Sequence, residues 1–258
     1  MASILDRYGI KEVCDFTLYN IKDDGSQGAP VLFLDTLKIS TVEQTADNSS
    51  ARGGKGNAEL ITWDFGREIT LNLQDALFSA KSMAIMYGCP TDNLKAAAMG
   101  KVYRTWRLNP NAQTAPTQLE LGLGKTHTPG PSAKYYKENG EFADVTTSTS
   151  GPSSPGTGQF AKGAAFVTDE VSTKDQTDIV INAETFPGTY YCVGDTYTRN
   201  EVTGEDSFFQ IQIPKAKMLS DITLTMEAEG DPTVFDMQMK VLRPKDGNMM
   251  KLVKYDID

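Results

Sequence analysis

Apolar and polar positions alternate most clearly near the two ends of the chain. Ile69, Leu71 and Leu73 alternate with Thr70, Asn72 and Gln74, the period of two that marks a strand with one face in a core. Phe208–Ile213 (FFQIQI), Ile222–Glu227 (ITLTME), Thr233–Val241 (TVFDMQMKV) and Leu252–Ile257 repeat the pattern toward the C-terminus, with short turn-rich connectors that predict a sequential antiparallel meander. Val13–Ile21 reads as a strand, followed by a hairpin-type loop at Asp23–Gly28. Val31–Val42 reads as a long strand bent near Asp35. Glu59–Asp64 carries Leu60, Ile61, Thr62 and Trp63, residue types that suit a pleated surface. A turn is expected at Asp64–Arg67, where Gly66 takes a positive φ without steric cost. One segment predicts a helix: Ser79 is a good N-cap, Met83, Met86 and Tyr87 share a face of Ala80–Tyr87, and Gly88 supplies the stop before Pro90.

The middle of the chain has a different texture. Lys101–Leu108, Gln118–Leu123, Thr177–Ile181 and Thr189–Val193 read as strands, and Asn109–Pro116 and Lys125–Pro131 as connectors. Residues 146–158, TTSTSGPSSPGTG, hold almost no apolar side chains and cannot offset their ordering entropy by burial; an exposed loop is expected there. No solenoid repeat is visible. The fold expected is mainly β, an antiparallel two-sheet β-sandwich or barrel with one short flanking helix, built from 1–91 and 201–258, with 92–200 as a loop-rich insertion.

The charge balance of 25 basic against 34 acidic residues, −9 overall, argues against binding to a phosphate backbone, which needs clustered cations. It would let DNA move past without sticking. Met1–Arg7 lacks the basic and apolar regions of a secretory leader, and no apolar run approaches the length of a membrane helix. Cys14, Cys89 and Cys192 are few, odd in number and widely spaced, so three reduced thiols are expected.

Candidate chemistry is sparse. The single histidine, His127, sits between two threonines, without the partners a general base or metal site requires, and is expected as an exposed loop residue. Arg52-Gly53-Gly54-Lys55-Gly56-Asn57 superficially resembles a phosphate loop, but Asn57 stands where Ser or Thr is needed and a strand follows instead of a helix. Gly122–Thr126 resembles only the tail of such a motif. No calcium loop, carboxylate pair or Ser-His-Asp set can be assembled. No catalytic residue, cofactor or metal is expected. Trp63, Trp106 and Tyr190-Tyr191 are read as core or interface aromatics, with stacking platforms for sugars as the alternative.

Taken together, Val31–Val42, the glycine-rich Arg52–Asn57, the pair Glu59–Asp64 and Glu68–Gln74, and Asp75–Gly88 resemble the tail tube proteins of contractile-tailed bacteriophages, most closely the large ones of phages of Gram-positive hosts. The resemblance covers Val13–Gly88 and, more loosely, Phe208–Ile257; it does not reach Asp92–Asn200. It implies a structural virion protein, made in the host cytoplasm, whose copies form rings, six to a ring, by edge-to-edge strand pairing. Stacked rings then make a tube through which DNA passes without specific binding, with tail sheath and baseplate proteins as further partners. Sheet edges that are hazardous in a monomer are used up in such a ring. On this reading the loop Glu43–Asn57, with Arg52, Gly53, Gly54, Lys55, Gly56 and Asn57 at its end, is the expected contact between stacked rings, and Gly140–Gly163 lies on the outside of the tube. The same fold would also serve a single-ring tube initiator or tail terminator. A carbohydrate- or receptor-binding sandwich on the virion surface is the reading from a different class.

Overall fold

The computed structural model describes residues 7–89, 94, 97–111, 118–130, 132–143, 163–224, 226 and 234–257. The strands β1 (Tyr8–Ile10), β2 (Asp15–Ile21), β3 (Gln27–Leu34), β4 (Leu37–Gly53) and β5 (Ala58–Asp75) come first, followed by the helix α1 (Ala80–Tyr87). Then come β6 (Ala97–Arg107), β7 (Leu119–Gly122), β8 (Lys125–His127), β9 (Lys134–Tyr136) and β10 (Phe166–Gln176). The order ends with β11 (Thr189–Asn200), β12 (Asp206–Met218), β13 (Phe235–Val241) and β14 (Lys251–Tyr255). The chain divides into two compact units, Met1–Leu94 with Ile179–Asp258, and Lys95–Asp178.

In the first unit nine antiparallel strands form one open sheet in the order β3-β2-β11-β12-β13-β5-β4, with β1 on β11 and β14 on β12. The fold is mainly β and antiparallel with one short helix, consistent with a β-sandwich that carries one helix. It does not close into a barrel: β3 and β4 end the strand order and pair with no further strand among the described residues. Strands from both ends of the chain interleave: β11 lies between β2 and β12, and β13 pairs with β5. The core follows the alternation. Phe16 and Leu18 from β2, Leu71 and Leu73 from β5, Ile213 and Met218 from β12, and Met239 from β13 are fully buried. Gly194 has no side chain because the Phe16 ring occupies its place; a Cβ there would lie 2.6 Å from the ring.

The helix forms where its caps predict. Ser79 Oγ accepts from Ser82 N at 3.0 Å while Ser82 Oγ accepts from Ser79 N at 2.9 Å, which satisfies two otherwise orphaned donors. Gly88 ends the helix at φ 72°. The buried face is Ser82, Ala84, Ile85 and Met86, with Met83 and Tyr87 only half-buried.

Several boundaries differ from the sequence pattern. Val31–Val42 is not one strand: it breaks at Asp35-Thr36 into β3 and β4, which lie at opposite edges of the sheet. The expected loop Glu43–Asn57 is strand as far as Gly53, and the expected turn at Asp64–Arg67 lies within β5. Thr45 pairs with Glu68 and Asp47 with Phe65, so the extra residue is absorbed as a bulge with Gly66 at φ 62°. Similarly, β12 runs through Pro214 where the alternation predicts an end. Tyr190 pairs with Ala216 but Cys192 with Ile213, and this bulge excuses the proline from a ladder hydrogen bond. The C-terminal strands are not a simple meander: β14 returns to the first half of β12, at Phe208–Gln212, while β13 takes Ala216–Met218. Thr177–Ile181, Ile222–Leu224 and Met226 are not strand. The insertion is also shorter than 92–200, because β11 is a central strand of the large sheet.

The second unit contains the sheet β6-β10-β9 and the hairpin β7-β8. Its core gathers Leu108, Leu119, Tyr135, Ala143, Ala164 and Val167. Gly122–Thr126 is the tight turn of that hairpin, with Leu123 and Gly124 at positive φ, so the Walker-like reading has no structural basis. The Ser/Thr/Gly/Pro run 146–158 lies outside the described residues.

Candidate functional site

The sheet's most unusual part is the far end of β4 and β5. The two strands pair along their whole length, from Leu37 opposite Asp75 to Gly53 opposite Ala58. The neighbour β13 covers β5 only over Thr70–Asp75. Beyond Ile69 the pair continues as a two-stranded arm, and every residue of β5 from Ala58 to Glu68 is exposed. Two strands alone are marginal in water, so this arm needs a partner or strong local bonding.

One face has the local bonding. Glu59 accepts from Ser50 Oγ and Thr62 Oγ1, each at 2.5 Å, and from Arg52 at 3.1 Å. The hydrogen bonds from Ser50 and Thr62 hold its carboxyl below the ordinary range. Strand alternation puts Ile61, Trp63 and Phe65 on the other face, opposite Ala51, Ser49 and Asp47. These three large side chains are 54%, 55% and 55% exposed. The arm is therefore amphipathic, with an apolar stripe that nothing among the described residues covers.

The contact residues expected from sequence lie at the arm's tip. Arg52 and Gly53 end β4, and Gly54-Lys55-Gly56-Asn57 is the turn, with Gly54, Gly56 and Asn57 at positive φ. The glycines thus make a tight reversal and not a long adaptable loop. Arg52 is already paired with Glu59 of its own chain. Lys55 has no ion pair among the described residues. Sequence reasoning missed the stripe itself. Its signal was there in the β-prone run 58–65, but a strand pattern does not reveal that its third neighbour stops short.

The free edges carry exposed apolar residues as well, Phe33 on β3 and Ile39 on β4. Among the remaining aromatics, Tyr190 packs against the core, and Trp106 Nε1 donates to Glu120 O at 2.8 Å. Trp63 alone of the two tryptophans is well exposed.

In the second unit, His127 is not an exposed loop residue. It ends β8, stacks on Trp106 with ring centroids 5.4 Å apart, and meets the buried Asp169. Asp169 also accepts from Gly130 N, Ser132 Oγ and Glu170 N at 2.6, 2.6 and 2.9 Å. Burial alone pushes this carboxyl up; the hydrogen bonds from Ser132, Gly130, His127 and Glu170 outweigh it and hold the pKa below the ordinary value. Ser132 bonds to the carboxylate and not to the imidazole, so the group ties residues 127–132 to β10 and is not wired as a nucleophile relay. No cluster of three metal-ligating side chains occurs among the described residues. Cys14, Cys89 and Cys192 are free and buried, and burial pushes the Cys192 thiol up to about 12.

Residues 8–254 match the model of the YomU/Tube protein family. No curated protein matches the chain.

Proposed function

The chain belongs to the YomU/Tube protein family, a phage-associated tube protein family, and from this premise we propose that its copies join into stacked rings, six to a ring, forming the tail tube through which DNA passes. The observation that carries this reading is the β4–β5 arm. It stands clear of the sheet with Ile61, Trp63 and Phe65 uncovered, a surface that a second copy would bury. The open edges β3 and β4 suit the lateral joints of a ring, because a head-to-tail contact between different edges closes when its rotation allows. The arm, with Arg52–Asn57 at its tip, reaches the next ring. Net charge of −9 disfavours binding to the DNA that passes. In this role the protein is structural and not an enzyme. It is a virion tail component made in the host cytoplasm, with sheath and baseplate proteins as neighbours in a contractile tail of a phage of a Gram-positive host. No helix among the described residues is long and apolar enough to cross a membrane.

Negative-stain imaging of the concentrated pure protein tests the proposal. Long tubes are the expected result. Discrete single rings would assign the initiator or terminator role on the same fold, and a stable single subunit at every concentration would overturn the assembly reading.

A further inference from the structure

At the base of the arm, Arg67 and Arg243 line one cavity of about 420 Å³ together with Gln44, Asn248 and an apolar floor of Ile69 and Met250. Neither guanidinium has a carboxylate or other hydrogen-bond partner among the described residues. In a chain with nine more acidic than basic residues, two unpaired arginines at one cavity are a specific opening for an anion, and Gln44 adds a neutral donor beside them, while the Asn248 amide donates to Asp246 Oδ2 at 2.9 Å.

The complementary surface lies elsewhere in the same sheet. Asp195 on β11 stands opposite Asp15 on β2, and Phe16 opposite Leu34 puts Asp35 next to Asp15 on the other side. Three carboxylates thus run in a row, from β11 through β2 to the residue that follows the edge strand β3. Among the described residues none has a cation within ion-pair distance, and the hydrogen bond to Asp195 comes from the Gln210 amide, at 2.7 Å. Burial first, then the charges of Asp35, Asp195 and Glu12, push the Asp15 carboxyl up.

These two surfaces cannot satisfy each other within one copy. Thr36, next to Asp35, donates to Asp75 at the end of β5, whereas Arg67 lies far back on the same strand, roughly 25 Å away at the rise of extended chain. We propose that the Arg67–Arg243 cavity at the base of one copy's arm receives the carboxylates of Asp15 and Asp35 from a second copy. The contact rests on the assembly reading above and deepens it. It supplies the charged, orientation-fixing part of the joint, while Ile61, Trp63 and Phe65 supply the apolar part. Because the two surfaces differ, the contact is head-to-tail and repeats indefinitely or closes, as a tube requires.

Charge reversal tests the contact. Arg67→Glu with Arg243→Glu, and separately Asp15→Lys with Asp35→Lys, are each expected to raise the protein concentration needed for assembly by about tenfold. The combined four-site variant is expected to recover most of that loss. Circular dichroism establishes that each variant is folded. Where a reversal variant fails to fold, a mixture of Asp35→Cys and Arg243→Cys chains gives the answer by forming a disulfide-linked pair, since the native thiols are buried. Reversal variants that assemble like the unmodified protein, a combined variant that does not recover, or a mixture that does not cross-link would each overturn the contact. So would normal assembly with lost binding of a DNA oligonucleotide, which would put backbone phosphate in the cavity. An unmodified protein that never assembles would instead remove the tube reading itself.

Discussion

His127 Nε2 stands 2.8 Å from Asp169 Oδ2, and this contact joins the hairpin β7-β8 to the sheet β6-β10-β9. The carboxylate has no exposed side-chain surface and accepts four hydrogen bonds, so every donor around it depends on its charge. Asp169→Asn replaces an acceptor-only group with one that must donate as well, and strands at least one donor. It is expected to cost about 2–3 kcal/mol of local stability, the usual loss for a buried charged acceptor. Denaturant unfolding followed by Trp106 fluorescence checks this, and a loss under about 0.5 kcal/mol would show that water replaces the carboxylate at little cost.

The same carboxylate sets a pH dependence. Its folded-state pKa lies below the ordinary 3.8, so the folded form binds its proton less readily than the unfolded chain. The contribution to stability is therefore fully present above pH 3.8 and is lost as pH falls through the depressed folded value. Unfolding midpoints measured across the acid range should fall steeply for the native chain and less for Asp169→Asn. Parallel curves for the two would remove Asp169 as the source.

The arm separates folding from assembly. Trp63 touches no core cluster and is 55% exposed, so Trp63→Ser should shift the stability of the single subunit by no more than about 0.5 kcal/mol. Loss of a central aromatic anchor should still abolish tubes or rings, since such side chains carry much of an interface's energy. Thermal unfolding and negative-stain imaging of the same preparation make the comparison. Normal-length tubes from a folded Trp63→Ser protein would show that the stripe is not a contact.

How far the sequence reaches depends on whether a feature is local. Helix α1 was legible because Ser79, Ser82 and Gly88 settle its ends within the segment itself. The buried faces of β5 and β13 were legible because Ile69, Leu71 and Leu73, and Met237 and Met239, keep a strict period of two. The features that were not legible depend on distant neighbours. Gly66 reads as a turn, yet β4 holds it in a bulge by pairing on both sides. Pro214 reads as a strand end, yet the irregular register opposite Tyr190 and Cys192 accommodates it. Thr189–Val193 reads like the rest of the insertion, yet Cys192 and Val193 pair with Leu18 and Thr17 of β2 and belong to the main sheet. The tip was legible only in its glycines: Gly54-Lys55-Gly56-Asn57 is the turn, but the loop expected over Glu43–Asn57 is strand as far as Gly53, because pairing with β5 holds it extended. That Arg52 is neutralised was not legible either, because its partner Glu59 comes from the returning strand.

Gly88 gives the last test. Its φ of 72° is strained for any residue with a Cβ, and a Cβ built there would lie 2.3 Å from the Phe186 carbonyl carbon and 2.6 Å from Pro187 N. Both obstacles are backbone and cannot rotate away. Gly88 N donates to Ile85 O at 3.2 Å and Cys89 N to Ala84 O at 2.7 Å, so the strained conformation also caps the helix. Gly88→Ala is therefore expected to destabilise the first unit by about 2–4 kcal/mol, combining the left-handed strain with the displaced segment. Ser79→Ala, which removes only one cap hydrogen bond, should cost about 1 kcal/mol. Equilibrium unfolding by circular dichroism measures both. If Gly88→Ala cost no more than Ser79→Ala, the 186–187 segment would have to move freely away from the helix end, and its packing against Gly88 would not contribute to the stability of this unit.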